Sequence, residues 1–117
     1  MILGVGTDIV EINRITTAKP AFFHKCFTAA EICRCETTAN PAVHFAGYFA
    51  AKESVAKAVG TGFRGFSPRD VEICHDNLGK PFASLNKTAV LPCDAHINIS
   101  ISHGRDYAVA FAIISIK

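Results

Sequence analysis

Charge is scarce in this 117-residue chain: Asp, Glu, Lys and Arg together make 19% of it, while 50% is hydrophobic. That balance excludes disorder over most of the length, because disordered segments are highly charged and too poor in apolar residues to bury a core. An excess of one sign is missing as well. Twelve Lys and Arg stand against ten Asp and Glu, a formal net charge of +2, which is too balanced for a protein that lives on the phosphates of DNA or RNA. No uninterrupted apolar run approaches the roughly 18 residues of a membrane span. The opening Met1-Ile2-Leu3-Gly4-Val5-Gly6-Thr7-Asp8 has no basic n-region and soon meets an acid. It does not read as a signal peptide, and the expected address is the cytoplasm.

Paired-cysteine patterns are absent too. The five cysteines, Cys26, Cys33, Cys35, Cys74 and Cys93, form an odd set with no C-x-x-C, which argues against a disulfide framework. A zinc site from Cys33, Cys35, Cys74 and His75 matches no usual ligand spacing. Buried or semi-buried free thiols are the expectation. Without an internal repeat, a low-complexity tract or a Pro/Gly/Ser-rich linker, residues 1–117 read as a single domain of ordinary size. A domain this small removes only about two thirds of its unfolded surface from water. Its mean hydropathy of +0.26 leaves apolar surface over, so an oligomer is expected.

The periodicities that are present place the elements. Ile2 to Ile9 alternates as a strand, with Leu3, Val5, Thr7 and Ile9 on one face and Ile2, Gly4, Gly6 and Asp8 on the other. Glu11 to Ala18 suits a short helix. Thr28 with Glu31 three residues later matches a capping box. Asn40-Pro41 opens the strongest helix, Ala42 to Val59, which Gly60-Thr61-Gly62 stops. Gly62 to Arg69 reads as irregular, Val71 to Cys74 and Phe82 to Leu85 as short strands around the turn Asn77 to Pro81, and Asn86 to Ala95 as a brief helix interrupted before Pro92. Ile97, Ile99 and Ile101 alternate with polar residues up to the turn at His103. A last strand, Tyr107 to Ile116, then puts Ala108, Ala110 and Ala112 on one face, a surface small enough for a helix to lie closely on it.

Within that frame Asp8 ends a strand near the core boundary, where a carboxylate is costly unless paired or bound to a cation. Stepping about 100° per residue, Ala46, Ala50, Glu53 and Lys57 share a helix stripe. One reading joins Asp8 and Glu53 as hard oxygen ligands of Mg²⁺, which takes few protein carboxylates and completes its shell with phosphates and water. The other makes Glu53 and Lys57 an exposed i, i+4 ion pair. His103 is a phosphate contact or a solvated turn histidine. A Ser-His nucleophile in Ser100 to His103 is disfavoured, because neighbouring strand residues face opposite ways and no G-x-S-x-G elbow exists. The two glycine pairs, Gly4/Gly6 and Gly60/Gly62, match neither a Walker loop nor a dinucleotide fingerprint. Ile12 to Ala30 carries Arg14, Lys19 and Lys25 with His24 and no acid, a docking patch or a solvated helix face.

The ordered set of motifs resembles the holo-[acyl-carrier-protein] synthases, the small bacterial branch of the 4'-phosphopantetheinyl transferases. The residues carrying the likeness are Gly4 to Ile12 with Arg14, Phe27-Thr28 with Glu31, Phe49 to Gly62 (FAAKESVAKAVGTG), Leu78-Gly79-Lys80-Pro81 and Ser100 to His103. The resemblance implies an α+β fold with a long central helix on a curved antiparallel sheet, assembled as a homotrimer with sites between protomers. It implies transfer of 4'-phosphopantetheine from coenzyme A to a serine of apo acyl carrier protein, releasing adenosine 3',5'-bisphosphate, in support of fatty acid biosynthesis.

By position Asp8 and Glu53 would be the Mg²⁺ ligands and Asp8, Glu53 and Lys57 the catalytic set, with Glu53 the first choice for general base. Lys57, Gly60, Gly79, Lys80, Pro81 and His103 would contact coenzyme A, the turn at 78–81 from a neighbouring protomer. Arg14, Lys19 and Lys25 would meet the acidic carrier protein. Relatives often carry a basic cluster ahead of the helix and an arginine within it; here Thr37 to Val43 has no base and Tyr48 stands in the helix. Weaker coenzyme A binding, or substitution by Arg64, Arg69 or Lys80, is the expectation. The alternatives are a non-catalytic module of the same fold that binds coenzyme A or the carrier protein and, on the glycine loops alone, a nucleotide-binding regulatory subunit.

Overall fold

The computed structural model describes residues 1–87 and 90–116. In chain order the elements are β1 (Ile2–Glu11), α1 (Ile12–Thr16), α2 (Pro20–Cys26), α3 (Ala29–Glu36), α4 (Pro41–Val59), β2 (Val71–His75), β3 (Pro81–Leu85), β4 (His96–His103) and β5 (Tyr107–Ser115), with a 3-10 turn at Pro68–Asp70 before β2. The strands form one antiparallel sheet in the order β1-β5-β4-β3-β2. Because the last strand lies beside the first, β1 is an edge and the β2–β3 hairpin lies at the opposite end. The α+β class inferred from the motifs is the architecture observed.

Helix α4 runs 19 residues and packs on β1, β5 and β4. Small side chains in both layers permit the close approach. Ala46, Ala50 and Ala51 on the helix and Ala108, Ala110 and Ala112 on β5 are all buried. On β1 a Cβ added at Gly4 would collide with the carbonyl of Ala58, and one at Gly6 with the carbonyl of Ser54. The Gly4-Val5-Gly6 pair is therefore a packing device. Ser54 Oγ closes the layer by donating to the carbonyls of Ala50 (2.7 Å) and Ala110 (3.1 Å). At its C-terminus α4 stops on Gly60, whose φ of +97° is the left-handed cap that glycine accepts without a Cβ penalty.

The Thr28–Glu31 capping box forms, with Thr28 N donating to Glu31 Oε1 at 2.8 Å and Glu31 N to Thr28 Oγ1 at 3.2 Å. Helix α2 has no counterpart in the sequence reading, although Pro20 at its first position was a usable signal. It is held by rings: Phe22, Phe23 and Phe27 pack edge-on or tilted against Phe45 and Phe49 of α4, with centroids 4.9–5.3 Å apart for the nearest pairs. The brief helix expected over Asn86 to Ala95 is not found among the described residues; they form turns, and residues 88 and 89 lie outside them. Pro92 interrupts the helical hydrogen bonding, and Val90, Leu91 and Ala95 pack against the core from turns instead. All five cysteines are free, with Cys26 and Cys35 buried and Cys74 half-buried. Cys33 and Cys93 are exposed, contrary to the expected burial, because each lies on a solvent-facing helix or turn position. Among the described residues no helix is long and apolar enough to cross a membrane.

Candidate active site

Asp8 pairs with Ala110 across β1 and β5 and, sharing parity with Gly4 and Gly6, lies on the face that α4 covers. Its side chain is 19% exposed. From α4, Lys57 Nζ donates to Asp8 Oδ1 at 3.2 Å and to the carbonyl of Thr7 at 2.9 Å. The exposed i, i+4 pair that the helix spacing allowed is thus not the one formed: Lys57 turns to the strand, away from Glu53. Glu53, half-buried one turn earlier, has its proton affinity raised first by burial and then by the Asp8 carboxylate, with Arg14 and Lys57 pulling the other way. Asp8, Glu53, Lys57 and Arg14 are therefore one electrostatic cluster where β1 runs into α1. The guanidinium of Arg14 also lies 5.1 Å from the centroid of the Phe49 ring, a cation–π contact that holds it beside the carboxylates.

The Asp8 carboxylate disfavours the ionised form of Glu53, and a cation shared between the two would relieve that repulsion. Among the described residues no group of three or more His, Cys, Asp or Glu is placed to hold a metal alone. A pair of hard oxygens fits a divalent ion of the Mg²⁺ kind, shared with substrate phosphates and water, and does not fit a closed zinc site. Cys33, Cys35, Cys74 and His75 do not form a metal-holding group among the described residues either.

Next to Glu53, a further side chain escaped the sequence reading. Lys52 is fully buried and its Nζ donates to Glu31 Oε1 (2.8 Å) and to the carbonyls of Pro68 (2.9 Å) and Val71 (2.6 Å). The same Glu31 accepts from Thr28 N and Ile73 N. Consecutive helix residues diverge by about 100°, so Lys52 anchors α4 to α3 and β2 while Glu53 faces β1.

A second group lies at the other half of α4. His103, ending β4, shares a cavity of about 170 Å³ with His44, Gly47, Tyr48, His75 and Pro81. Gly79 and Lys80 sit in the β2–β3 turn, which Asp76 organises by accepting from Leu78 N and Lys80 N at 2.9 Å each; Gly79 adopts φ +85°. With β5 and β4 intervening, β3 lies ~14 Å from β1 at ordinary strand spacing. One protomer hence does not bring the 79–81 turn to the Asp8–Glu53–Lys57 cluster. Gly60 is exposed one turn beyond Lys57. Tyr48 is buried, its hydroxyl pushed up to about 12 chiefly by burial, and neutral. None of Arg64, Arg69 or Lys80 lines this cavity; Arg69 lies instead beside His24 and Cys33.

Lys19 and Lys25 are exposed on α2 and its lead-in. Burial pushes the Cys26 thiol up, with Lys52, Lys25 and Arg14 among the charges that oppose it.

Residues 4–112 match the 4'-phosphopantetheinyl transferase superfamily. The chain is 49% identical to the holo-[acyl-carrier-protein] synthase of Clostridium novyi, covering 99% of this chain and 89% of that one. It is 45% identical to the protein of the same name from Fusobacterium nucleatum, covering 97% and 99%. Among solved structures it resembles the Bacillus anthracis holo-(acyl-carrier-protein) synthase in complex with CoA (3',5'-ADP), with a TM-score of 0.86, 33% identity and 100% and 99% coverage. The Helicobacter pylori holo-[acyl-carrier-protein] synthase in complex with coenzyme A gives 0.84, 29%, 95% and 99%.

Proposed function

The chain belongs to the holo-[acyl-carrier-protein] synthases of the 4'-phosphopantetheinyl transferase superfamily, and on that premise we propose that Asp8, Glu53 and Lys57 carry the transfer in this protein. The enzyme moves 4'-phosphopantetheine from coenzyme A to a serine of apo acyl carrier protein, a step that serves fatty acid biosynthesis. The convergence of Asp8, Glu53 and Lys57 on one spot, from elements 49 and 45 residues apart by the numbering, is the observation that carries the assignment. A pure binding module of the same fold would have no use for the whole set.

The chemistry asks for two things. The serine oxygen forms a bond to phosphorus as the phosphoanhydride bond breaks, the electron pair leaving on adenosine 3',5'-bisphosphate, and the serine proton must go to a base. Glu53, whose proton affinity burial and Asp8 both raise, is the acceptor within the cluster. Lys57 uses two of its three N–H donors on Thr7 and Asp8, leaving one for a phosphate oxygen. Held by Asp8 and Glu53, Mg²⁺ would neutralise the diphosphate charge and fix its orientation.

The exposed face of β1 and β5 supports the homotrimer. Leu3, Val5 and Ile9 with Tyr107, Val109 and Phe111 are 38–62% exposed on the side of the sheet away from α4, an apolar patch of the kind that oligomer interfaces cover. A neighbouring protomer there would also supply the 79–81 turn that its own cluster lacks. Light scattering is expected to give three times the chain mass, and Phe111→Asp a smaller particle; a monomer at micromolar concentration would remove the trimer. Within that assembly residues 1–117 act as a single domain, in the cytoplasm.

The activity is tested by incubating the protein with apo acyl carrier protein, coenzyme A and Mg²⁺ and weighing the intact carrier. A pantetheine adduct is expected; none, with folded protein and carriers from its own source, would sink the enzyme reading. Arg14, Lys19 and Lys25 are assigned to the acidic carrier. Arg14→Ala is expected to raise KM for carrier protein more than for coenzyme A, an effect that fades as salt screens it. An equal rise in both would place Arg14 at the carboxylates alone.

A further inference from the structure

Helix α4 buries side chains nearly all the way round. In its C-terminal half Ala50, Ala51, Val55, Ala56 and Ala58 are buried together with Lys52 and Ser54, and stepping about 100° per residue leaves Glu53 and Lys57 on the remaining strip. Apolar contact is non-directional, and alanines raise only shallow ridges for a neighbour to grip. Packing therefore fixes how deeply this helix sits better than how it is rolled about its axis. Yet the roll decides where Glu53 stands. Among the described residues neither ion pair includes Glu53, and the side-chain hydrogen bonds of this half of the helix come from Lys52, Ser54 and Lys57.

Two of these ties flank Glu53 in sequence and point about 200° apart around the helix. On one side Lys52, 0% exposed, directs all three ammonium hydrogens to Glu31 Oε1 and the carbonyls of Pro68 and Val71, so that α3, the 3-10 turn and β2 grip α4. On the other, the buried Ser54 donates to the carbonyl of Ala110 at 3.1 Å, and Ala110 is the residue of β5 that stands opposite Asp8 on β1. Lys57 makes the third tie from a side chain 56% exposed, whose flexible stem follows the helix instead of holding it. A buried ion pair is seldom the most stabilising filling for a core, since apolar residues of the same volume do as well or better. What directional bonds add is a defined orientation.

We propose that Ser54 and Lys52 are positioning residues for the transfer: together they set the roll of α4, and Ser54 ties that roll to the strand position of Asp8, so that the Glu53 carboxylate is held beside Asp8. The assignment rests on the transferase reading above, in which Glu53 acts. At about 5–6 Å from the helix axis, a roll of about 10° moves a group by about 1 Å. A displacement of that size costs on the order of a hundredfold in rate. Cutting one tie while the other remains gives a partial slip and a smaller loss.

A double-mutant cycle on the full chain tests this, with kcat and both KM values taken from adduct formation by intact mass, at a temperature where melts show the variant folded. Ser54→Ala is the main probe, because alanine fits the space and the Ala110 carbonyl keeps its bond from Thr7 Oγ1 at 2.9 Å. It is expected to lower kcat about fivefold, and Lys52→Met about tenfold, with KM for coenzyme A and for the carrier within about twofold of wild type. In a Glu53→Gln background the same changes should alter kcat by less than about twofold, because a residue that acts through Glu53 has nothing left to act on. A purely structural role would lower activity by the same factor in both backgrounds. Equal losses would therefore overturn the proposal, and so would an unchanged kcat in folded Ser54→Ala. Should Lys52→Met not fold, Ser54→Ala decides by itself. No adduct from wild type overturns the transferase reading and this assignment with it; an adduct with equal losses overturns the assignment alone.

Discussion

Replacing Glu53 with glutamine is expected to lower turnover at least a hundredfold, about 3 kcal/mol of barrier, while the protein stays folded and melts no lower than wild type. The two expectations come from one environment. Glu53 is half-buried beside a second carboxylate, and its ionised form is disfavoured by both. Neither ion pair among the described residues includes it, so its charge does not hold α4 in place. Glutamine keeps the shape and removes the repulsion with Asp8, but it cannot take a proton from serine or hold a hard cation with the same charge. Stability kept or gained while activity falls is the trade-off of a functional carboxylate. Rates of adduct formation by intact mass, with thermal melts on the same samples, check it. Turnover within threefold of wild type would take Glu53 out of the mechanism.

One residue earlier the expectation reverses. Lys52→Met should cost about 3–5 kcal/mol of folding stability, a large share of the roughly 5–15 kcal/mol that holds a domain together. Lys52 and Glu31 are 0% and 1% exposed. Removing the ammonium strands a carboxylate in the interior and leaves the carbonyls of Pro68 and Val71 without the donor they share. Adding Glu31→Leu should recover only part of the loss, because Thr28 N and Ile73 N then lose their acceptor. Urea denaturation at fixed protein concentration, which keeps any oligomer contribution constant, reads both steps. A loss below 1 kcal/mol for the single variant would show the pair to be dispensable.

The fold was legible wherever the signal was local. The Thr28 box, the Asn40-Pro41 start and Gly60 stop of α4, and the alternation of β4 and β5 depend on residues within a few positions of one another. Helix α2 was not, since its apolar residues serve a ring cluster with α4 that its own periodicity does not reveal. The helix expected near Pro92 failed for another reason: Val90, Leu91 and Ala95 pack against the core from turns, and Pro92 interrupts the helical hydrogen bonding. Asp8, Glu53 and Lys57, which the sequence singled out, come together in the fold, yet the partner of Lys57 was not legible. Helix spacing offered Glu53, and the approach of β1, made possible by Gly4 and Gly6, offered Asp8 and the carbonyl of Thr7. His44 and His75, 31 residues apart by the numbering, carried no mutual signal at all.

What the sequence determined by itself is the family, the α+β class and the acidic and basic side chains proposed for the chemistry, because these follow from residue types in a fixed local order. Tertiary structure alone decided that adjacent Lys52 and Glu53 divide into a buried anchor and a half-buried carboxylate beside Asp8. It also decided that the larger apolar face of β1 looks outward and that three separate histidines meet. Periodicity assigns a residue to a face; only the packing of distant elements says what that face meets.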